Sequence, residues 1–274
     1  MARVTEKLDG LQDILRDMGS ALIAFSGGVD SSFLLRVARD VLGGRAAALT
    51  ALSPTYPEHE LEEAKRFAAD LGVQHILIES NELKITNFAR NDTRRCYYCK
   101  SELFTLLREH ADTLGFTTIC DGANVDDTGD FRPGLKAAEE KGVRHPLIEA
   151  GLRKTDIREL SRSLGLSTHG KGAMACLSSR FPYGTEITES RVRQVGRCEA
   201  LLREMGFSQY RVRYHGDTAR IEIERSDFAE LMEESSMERI IKGFKEAGFT
   251  YVTLDLEGFR SGSMNEVLPH KGMG

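Results

Sequence analysis

Short apolar runs alternate with amphipathic segments along the first two thirds of the chain. The apolar runs predict strands at residues 21–25, 46–52, 74–78, 118–121 and 144–146. Apolar residues at helical spacing predict helices at residues 1–19, 31–42, 58–71, 97–114, 134–141 and 154–164. This alternation is typical of an α/β fold with a doubly wound parallel sheet and helices on both faces.

A stretch rich in Gly, Ser and Pro, residues 170–185, interrupts this alternation. After it, the pattern predicts a small α+β unit with helices at 188–205 and 228–247 and strands at 209–213, 219–223 and 251–256. We therefore expect two domains, residues 1–180 and residues 181–274.

Composition and charge narrow the classes of function. The 274 residues include 37 Lys and Arg against 42 Asp and Glu, which argues against a broad nucleic-acid surface. No apolar run approaches the ~20 residues of a membrane span. The charged, amphipathic N-terminus is unlike a signal peptide. Because five cysteines accompany no export signal, we expect a reducing, cytoplasmic location.

Residues 26–31, with the sequence SGGVDS, form what we call the serine–glycine loop, between the first strand and the next helix. Gly27 and Gly28 let a ligand approach the backbone closely. Ser26 and Ser31 add hydroxyl donors, and the helix start attracts anions. Asp30 is the candidate ligand for a Mg²⁺ that accompanies phosphates. The loop lacks the Gly-Lys-Ser/Thr ending of a Walker loop. The pattern favours a phosphate-binding loop over a tight turn without a ligand.

A second nucleotide-binding feature follows the predicted strand at 118–121. Gly122 permits close approach, and Asn124 can hydrogen-bond a base or ribose. Asp126 and Asp127 can hold Mg²⁺ on phosphates, although an Asp/Asn-rich turn explains the same residues. Because carboxyl ends of parallel strands share one edge, we expect this feature beside the serine–glycine loop.

Three cysteines carry candidate chemistry. Cys96 and Cys99 form a C-x-x-C pair, which by itself fits a redox dithiol, a zinc clamp or iron–sulfur ligation. Cys176 lies near Arg180 in a loop of small residues, which favours a reactive thiol over a buried packing residue. Three thiolates leave one iron of a [4Fe–4S] cluster open. Cys120 and Cys198 are expected to be packing residues.

Two arginines, Arg211 and Arg213, lie two residues apart on a predicted strand, so both are expected on one face. Two guanidiniums on one surface suit a phosphate or carboxylate, although a solvated strand face is the alternative. Arg260 and Ser261 are candidates to join them.

Several motifs together resemble the LarE family, the ATP-dependent sulfur transferases of nickel-pincer nucleotide cofactor synthesis, which make the cofactor of lactate racemase. These motifs are the serine–glycine loop, RPGLK at 132–136, Cys176 with SSRFPYGT at 178–185, RVR at 211–213, YVTLDL at 251–256 and GFRSG at 258–262. The loop alone is shared with other ATP pyrophosphatases, including NAD and GMP synthetases and tRNA thiolases.

The resemblance implies that the substrate is pyridinium-3,5-biscarboxylic acid mononucleotide and that ATP adenylates a ring carboxylate. A sulfur nucleophile at Cys176 then displaces AMP. Arg211 and Arg213 would hold the substrate phosphate, with Ser179 and Arg180 nearby, and Glu199 resembles a metal-binding position. The resemblance also implies that the protein binds ATP and Mg²⁺, receives sulfur from a donor protein and assembles as a homo-oligomer.

Two sulfur sources occur in such a family. In one, a single cysteine loses its own sulfur and becomes dehydroalanine. In the other, three cysteines hold a [4Fe–4S] cluster, and Cys96, Cys99 and Cys176 resemble that arrangement. Rival interpretations are a tRNA thiolase, which predicts a basic RNA surface, an ammonia-dependent amide synthetase and a zinc-clamped nucleotide-binding module.

Overall fold

The computed structural model describes residues 2–129, 133–172, 175–260 and 262–267. The described chain divides into two compact units. The first comprises Met1–Phe88 and Thr93–Lys171, and the second comprises Ala89–Asp92 and Gly172–Gly274. The second unit therefore begins before the predicted boundary at 180/181, and it takes in a short segment of the N-terminal half.

A four-stranded parallel sheet forms the centre of the first unit, with strand order β3-β2-β1-β4. The strands are β1 (Ala21–Ala24), β2 (Ala46–Leu52), β3 (Gln74–Glu79) and β4 (Thr118–Cys120). The helices of this half of the chain are α1 (Ala2–Met18), α2 (Val29–Leu42), α3 (Glu58–Asp70), α4 (Thr86–Ala89), α5 (Arg95–Leu114), α6 (Pro133–Glu140), α7 (Pro146–Glu149) and α8 (Lys154–Ser163).

Both faces of this sheet are covered. Ile23 of β1 belongs to a core cluster with residues of α1, α2 and α8, whereas Leu22 belongs to a second cluster with residues of α5 and α6. Successive side chains of a strand point to opposite faces, so a strand buried on both sides needs a continuous apolar run. The α/β, doubly wound class is therefore confirmed.

Two predicted elements of the sequence are wrong. The strand at 144–146 reduces to a single bridge between Cys120 and Arg144, because Pro146 begins the short helix α7. The helix at 228–247 is two helices, α10 (Phe228–Leu231) and α11 (Glu234–Glu246). Glu233 adopts an extended backbone conformation between them (φ −63°, ψ 138°), and the apolar spacing continued across this break.

The second unit is a small α+β unit with a three-stranded sheet of order β5-β6-β7. Strands β5 (Tyr210–His215) and β6 (Thr218–Ile223) are antiparallel, and β7 (Tyr251–Leu254) runs parallel to β6. Helix α9 (Glu189–Glu204) packs against β5, and α11 packs against α9 and β7. This arrangement buries β5 almost along its length.

Candidate active site

The serine–glycine loop lies at the carboxyl end of β1 and leads into α2. Ser31 Oγ donates to the Gly28 carbonyl at 3.3 Å and lies 3.2 Å from Ser26 Oγ. Gly27 has a φ of +69°, and a Cβ there would approach Ala64 Cβ to 3.0 Å. Gly28 caps α2 without a side-chain hydrogen bond. The first-turn N–H groups of α2 therefore have no capping side chain, which is the geometry of an anion site.

The structure brings Gly122 against this loop. Strand β4 pairs with β1 in parallel, which places their carboxyl ends side by side. A Cβ on Gly122 would lie 2.9 Å from Ser31 N and 3.1 Å from Ser31 Cα. The two nucleotide-binding features predicted from the sequence thus share one edge of the sheet, and only glycine fits at their contact.

The polar side chains of the acidic turn after Gly122 already have hydrogen-bond partners, within the turn and at the start of α8. Asn124 is buried, and its Oδ1 accepts the Asp126 N–H at 2.9 Å. Asp126 Oδ1 accepts from Arg153 Nη1 at 2.9 Å, and its Oδ2 accepts the Lys154 N–H at 2.8 Å. Asp127 Oδ2 accepts the Asn124 N–H at 3.0 Å. These contacts favour the turn interpretation for Asp126, which anchors the start of α8.

Asp30 carries the cation-binding potential of the loop. Its Oδ2 forms an ion pair with Lys154 Nζ, while Oδ1 is buried and has no hydrogen-bond partner among the described residues. Burial raises the pKa of Asp30, and the Lys154 ammonium offsets part of this rise. An unsatisfied buried carboxylate oxygen suits a divalent cation.

Sequence reasoning missed Lys154, Lys171 and Tyr56. Lys171 Nζ donates to the Gly27 carbonyl at 3.3 Å and pairs with Glu60 and, at 2.7 Å, with Glu63. The Tyr56 hydroxyl donates to the carbonyl of the first serine of the loop at 2.8 Å. A single Lys or Tyr far along the chain carries no local pattern that links it to residues 26–31.

The cysteine pair lies in the first two turns of α5. Cys96 is exposed and Cys99 is partly exposed, and their spacing of three residues places both on one side of the helix. Across the described ranges, no group of three or more His, Cys, Asp or Glu side chains is placed to hold a metal ion. The assignment of Cys96, Cys99 and Cys176 to a cluster therefore stays a prediction.

The two cysteines expected to be packing residues are both buried. Burial raises the pKa of the Cys120 thiol, and it raises the pKa of Cys198 to about 12. Buried thiols of this kind are unreactive at neutral pH.

Cys176 lies in the second unit at the start of a short 3₁₀-helix, Leu177–Arg180. The thiol is exposed, and its Sγ lies 2.9 Å from Ser178 Oγ. The Cys176 carbonyl accepts from Ser179 N at 3.0 Å, from Ser179 Oγ at 2.9 Å and from Arg180 Nη1 at 3.3 Å. Ser179 and Arg180 therefore fold back onto the residue that carries the thiol.

Arg180 and Glu199 form a buried, two-point ion pair. Arg180 Nε and Nη2 donate to the two carboxylate oxygens at 2.7 and 2.8 Å, and the side chains are 3% and 7% exposed. Glu199 Oε1 also accepts the Val212 N–H at 2.8 Å. Both oxygens of Glu199 thus contact protein donors, and its metal-binding role stays a prediction.

Arg211 and Arg213 are buried rather than solvated. Arg213 donates to both oxygens of Glu222, at 3.0 and 2.8 Å, and to the Ser179 carbonyl at 2.6 Å. The Arg211 guanidinium lies 5.1 Å from the centre of the Phe259 ring. Burial lowers the pKa of Arg211 to about 10, and the neighbouring guanidinium charges act in the same direction. An anion placed there would relieve this cationic repulsion.

A pocket of about 440 Å³ in the second unit is lined by Arg213, whereas Arg211 is not among its lining residues. Its charged and polar lining residues are Arg180, Arg213, His215, Arg220, Asp255, Glu257, Arg260, Ser263 and Glu266. Its volume falls within the range of small-molecule sites, about 300–1,000 Å³. Arg260 lines it while pairing with Glu257 at 3.0 Å and Glu266 at 3.1 Å.

Arg132 and Ser261, which belong to two of the motifs, lie outside the described residues. None of the helices that the structure describes is long and apolar enough to span a membrane.

Comparison with known proteins gives four findings. The asparagine synthase family model matches residues 14–97. An uncharacterized protein of Synechocystis sp. is 45% identical over 262 residues, covering 96% of this chain and 98% of that protein. The pyridinium-3,5-bisthiocarboxylic acid mononucleotide synthase of Lactiplantibacillus plantarum is 38% identical over 269 residues, which cover 98% of this chain and 97% of that protein. The tRNA-specific 2-thiouridylase MnmA of Treponema denticola is 29% identical over 202 residues, which cover 66% of this chain and 50% of that protein.

Proposed function

The chain belongs to the family of the pyridinium-3,5-bisthiocarboxylic acid mononucleotide synthases, the LarE family, and on that premise we propose that it converts the carboxylates of pyridinium-3,5-biscarboxylic acid mononucleotide to thiocarboxylates at the expense of ATP. The observation that carries the proposal is the near-full-length similarity to a synthase of that name, which spans both the serine–glycine loop and Cys176. The product would feed nickel-pincer nucleotide synthesis.

ATP binding is assigned to the first unit. The N–H groups at the start of α2 and the hydroxyls of Ser26 and Ser31 would bind the phosphates, and Gly27, Gly28 and Gly122 leave room for them. Asp30 would hold Mg²⁺, which when bound offsets charge on the leaving pyrophosphate. Asn124 is the candidate for contacts with the base or ribose.

The proposed chemistry has two steps, adenylation of a carboxylate and transfer of sulfur. A substrate carboxylate oxygen attacks the α-phosphorus of ATP, the bond to the β-phosphate oxygen breaks, and pyrophosphate leaves. A hydrosulfide then attacks the acyl carbon, the carbon–oxygen bond to AMP breaks, and loss of the S–H proton leaves the thiocarboxylate. If the nucleophile is instead the Cys176 thiolate, the Cβ–S bond of Cys176 must also break, and the residue becomes dehydroalanine. Adenylation is needed because a free carboxylate has no leaving group that sulfur can displace. The donors of the serine–glycine loop stabilise charge that develops on the phosphates.

Substrate binding is assigned to the second unit. Arg211 and Arg213 would hold the substrate phosphate, with Ser179 and Arg180 between them and Cys176. The depressed pKa of Arg211 supports this assignment, because a cation destabilised by burial and by like charges gains most from an incoming anion. Glu199 orients Arg180 through the two-point ion pair.

The sulfur source proposed for this chain is a [4Fe–4S] cluster held by Cys96, Cys99 and Cys176. The fit rests on thiol chemistry and access: Cys96 and Cys176 are exposed, and Cys99 lies on the same side of α5 as Cys96. Such a cluster, when bound by three thiolates, supplies an open iron that can carry a sulfide. The alternatives are a Cys176 that gives up its own sulfur and a cluster-dependent tRNA thiolase.

The test uses anaerobically purified protein with Mg²⁺, ATP, sodium sulfide and the biscarboxylate mononucleotide. We expect AMP and pyrophosphate together with a thiocarboxylate product, detected by mass spectrometry. Formation of ADP, or a thiolated tRNA in place of the thiocarboxylate, would contradict the proposal.

Cysteine variants distinguish the sulfur sources. Cys96→Ala is expected to lose iron, acid-labile sulfide and repeated turnover, while the buried control Cys198→Ala keeps all three. Dehydroalanine at position 176 combined with normal activity of Cys96→Ala would show that Cys176 gives up its own sulfur.

A further inference from the structure

Asn91 is a buried residue of the second unit with an uncommon backbone conformation. Among the described residues it is the single non-glycine residue with a positive φ, +57°, and it is 0% exposed. Asparagine enters this left-handed region more readily than most residues, but the conformation still costs free energy. Contacts of the folded chain must therefore hold Asn91 in place.

The side chain of Asn91 contacts three backbone carbonyls in one short segment. Its Nδ2 donates to the carbonyls of Pro182 at 2.8 Å, Thr185 at 3.0 Å and Phe181 at 3.2 Å. An amide NH₂ group has two hydrogens, so the three carbonyls share them. No other side chain type of this size offers two hydrogens from one neutral, planar group at this distance from the backbone.

The main chain around Asn91 binds the same segment, residues 181–187, which we call the anchored loop. The Asn91 carbonyl accepts the Gly184 N–H at 2.9 Å, and the Ala89 carbonyl accepts the Ile187 N–H at 2.8 Å. This pairing explains why the short segment Ala89–Asp92 belongs to the second unit although its sequence neighbours belong to the first.

The anchored loop directly follows the residues that carry the proposed sulfur transfer. On the preceding side, Arg180 is held by Glu199, and the Ser179 carbonyl accepts from Arg213 Nη1 at 2.6 Å. On the following side, Phe181 and Pro182 are held by Asn91. The stretch from Cys176 to Arg180 is thus held at its C-terminal end by Glu199, Arg213 and Asn91. Ser179 and Arg180 pass this constraint to Cys176, because both donate to the Cys176 carbonyl.

We propose that Asn91 is a positioning residue for sulfur transfer, acting through the anchored loop on Ser179, Arg180 and the Cys176 thiol. This inference rests on the proposed function for its kinetic consequence. Asn91 touches no reacting atom; it sets where the residues that bind the substrate lie. Displacing such residues by about 1 Å typically costs on the order of 100-fold in rate.

Two variants and one control test the inference. Asn91→Asp keeps the size and the backbone preference but turns an acceptor oxygen toward three carbonyls. Asn91→Gly adopts the positive φ without strain and removes the donor. Asn87→Asp is the control, because Asn87 is an exposed neighbour in α4. For both Asn91 variants we expect kcat/KM for the mononucleotide to fall at least about tenfold. The affinity for a non-hydrolysable ATP analogue, measured by calorimetry, should be unchanged.

A second measurement separates this inference from the proposed function. In substrate-free Asn91→Gly, hydrogen exchange of the Gly184 and Ile187 amides should be faster than in the unaltered protein. Hydrogen exchange is measured without substrate, so it tests the contacts of Asn91 even if the unaltered protein makes no thiocarboxylate. Wild-type kinetics in Asn91→Asp would overturn the inference. A loss of mononucleotide and ATP binding by the same factor, matching the unfolded fraction seen by circular dichroism, would also overturn it.

Discussion

The Arg180–Glu199 pair offers a direct test of how the second unit holds its candidate site. Glu199 lies in α9, is 7% exposed and accepts three hydrogen bonds: two from Arg180 and one from the Val212 N–H. Glu199→Ala removes all three and leaves a guanidinium that is 3% exposed without its carboxylate. Removing one partner of a buried ion pair typically lowers the free energy of unfolding by about 3–5 kcal/mol.

The variant Glu199→Gln separates the loss of charge from the loss of the whole side chain. Glu199→Gln keeps the volume and one acceptor oxygen, which can still serve the Val212 N–H, but it loses the charge. Losing a charge-assisted hydrogen bond costs about 1.5–3 kcal/mol, so Glu199→Gln should lie between the Ala variant and the unaltered protein. Glu189→Gln on the same helix is the matched control. The Glu189–Arg193 pair is 55% and 65% exposed, so its loss should cost at most about 1 kcal/mol.

The measurement is urea unfolding followed by the fluorescence of the tyrosines, because the chain has no tryptophan. Unfolding is recorded with and without Mg²⁺. If Glu199 acts through Arg180, the order of stability is the same in both conditions. Equal stability of Glu199→Gln and the Glu189→Gln control would refute the ion-pair reasoning. A cost that appears only when Mg²⁺ is present would instead assign Glu199 to a cation.

Three further predictions concern the other candidate residues. Gly122→Ala should weaken ATP binding by about tenfold in a calorimetric titration, roughly 1.4 kcal/mol, because the new Cβ would lie 2.9 Å from a backbone nitrogen of the serine–glycine loop. Gly129→Ala, with nothing within 4 Å of its Cβ, should not weaken it, and equal effects would contradict the steric reason. Arg211→Lys should weaken mononucleotide binding by about 1.5–3 kcal/mol without changing ATP affinity, since lysine lacks the paired donors; a matching loss of ATP affinity would place Arg211 elsewhere. Burial raises the pKa of Cys198 to about 12, so at pH 8 iodoacetamide should label Cys176 and leave Cys198 unlabelled in mass-mapped peptides; labelling of both at one rate would refute this burial.

The candidate site shows where local patterns suffice. The serine–glycine loop was predicted because its neighbours in sequence are also its partners: Ser26, Gly28 and Ser31 hydrogen-bond to one another within six residues. The same holds for the start of α5, where spacing alone places Cys96 and Cys99 on one side. Asp126 shows where local patterns do not suffice. The sequence makes its carboxylate a plausible cation ligand, but both of its oxygens accept hydrogen bonds from the start of α8, one from Arg153 and one from the Lys154 N–H.

Hydrophobic periodicity and short motifs were enough to predict the class of fold, the position of the serine–glycine loop and the family, because both are properties of adjacent residues. Which charged groups contact one another followed only from the packing of the folded chain. Lys154 pairs with Asp30, Lys171 reaches the Gly27 carbonyl, and Asn91 binds the anchored loop about 90 residues away. Contacts between residues so far apart depend on how strands and helices pack, and no local pattern records them. For the same reason the break before α11 escaped prediction: apolar spacing continues across it, and only the backbone conformation of Glu233 shows where one helix ends and the next begins.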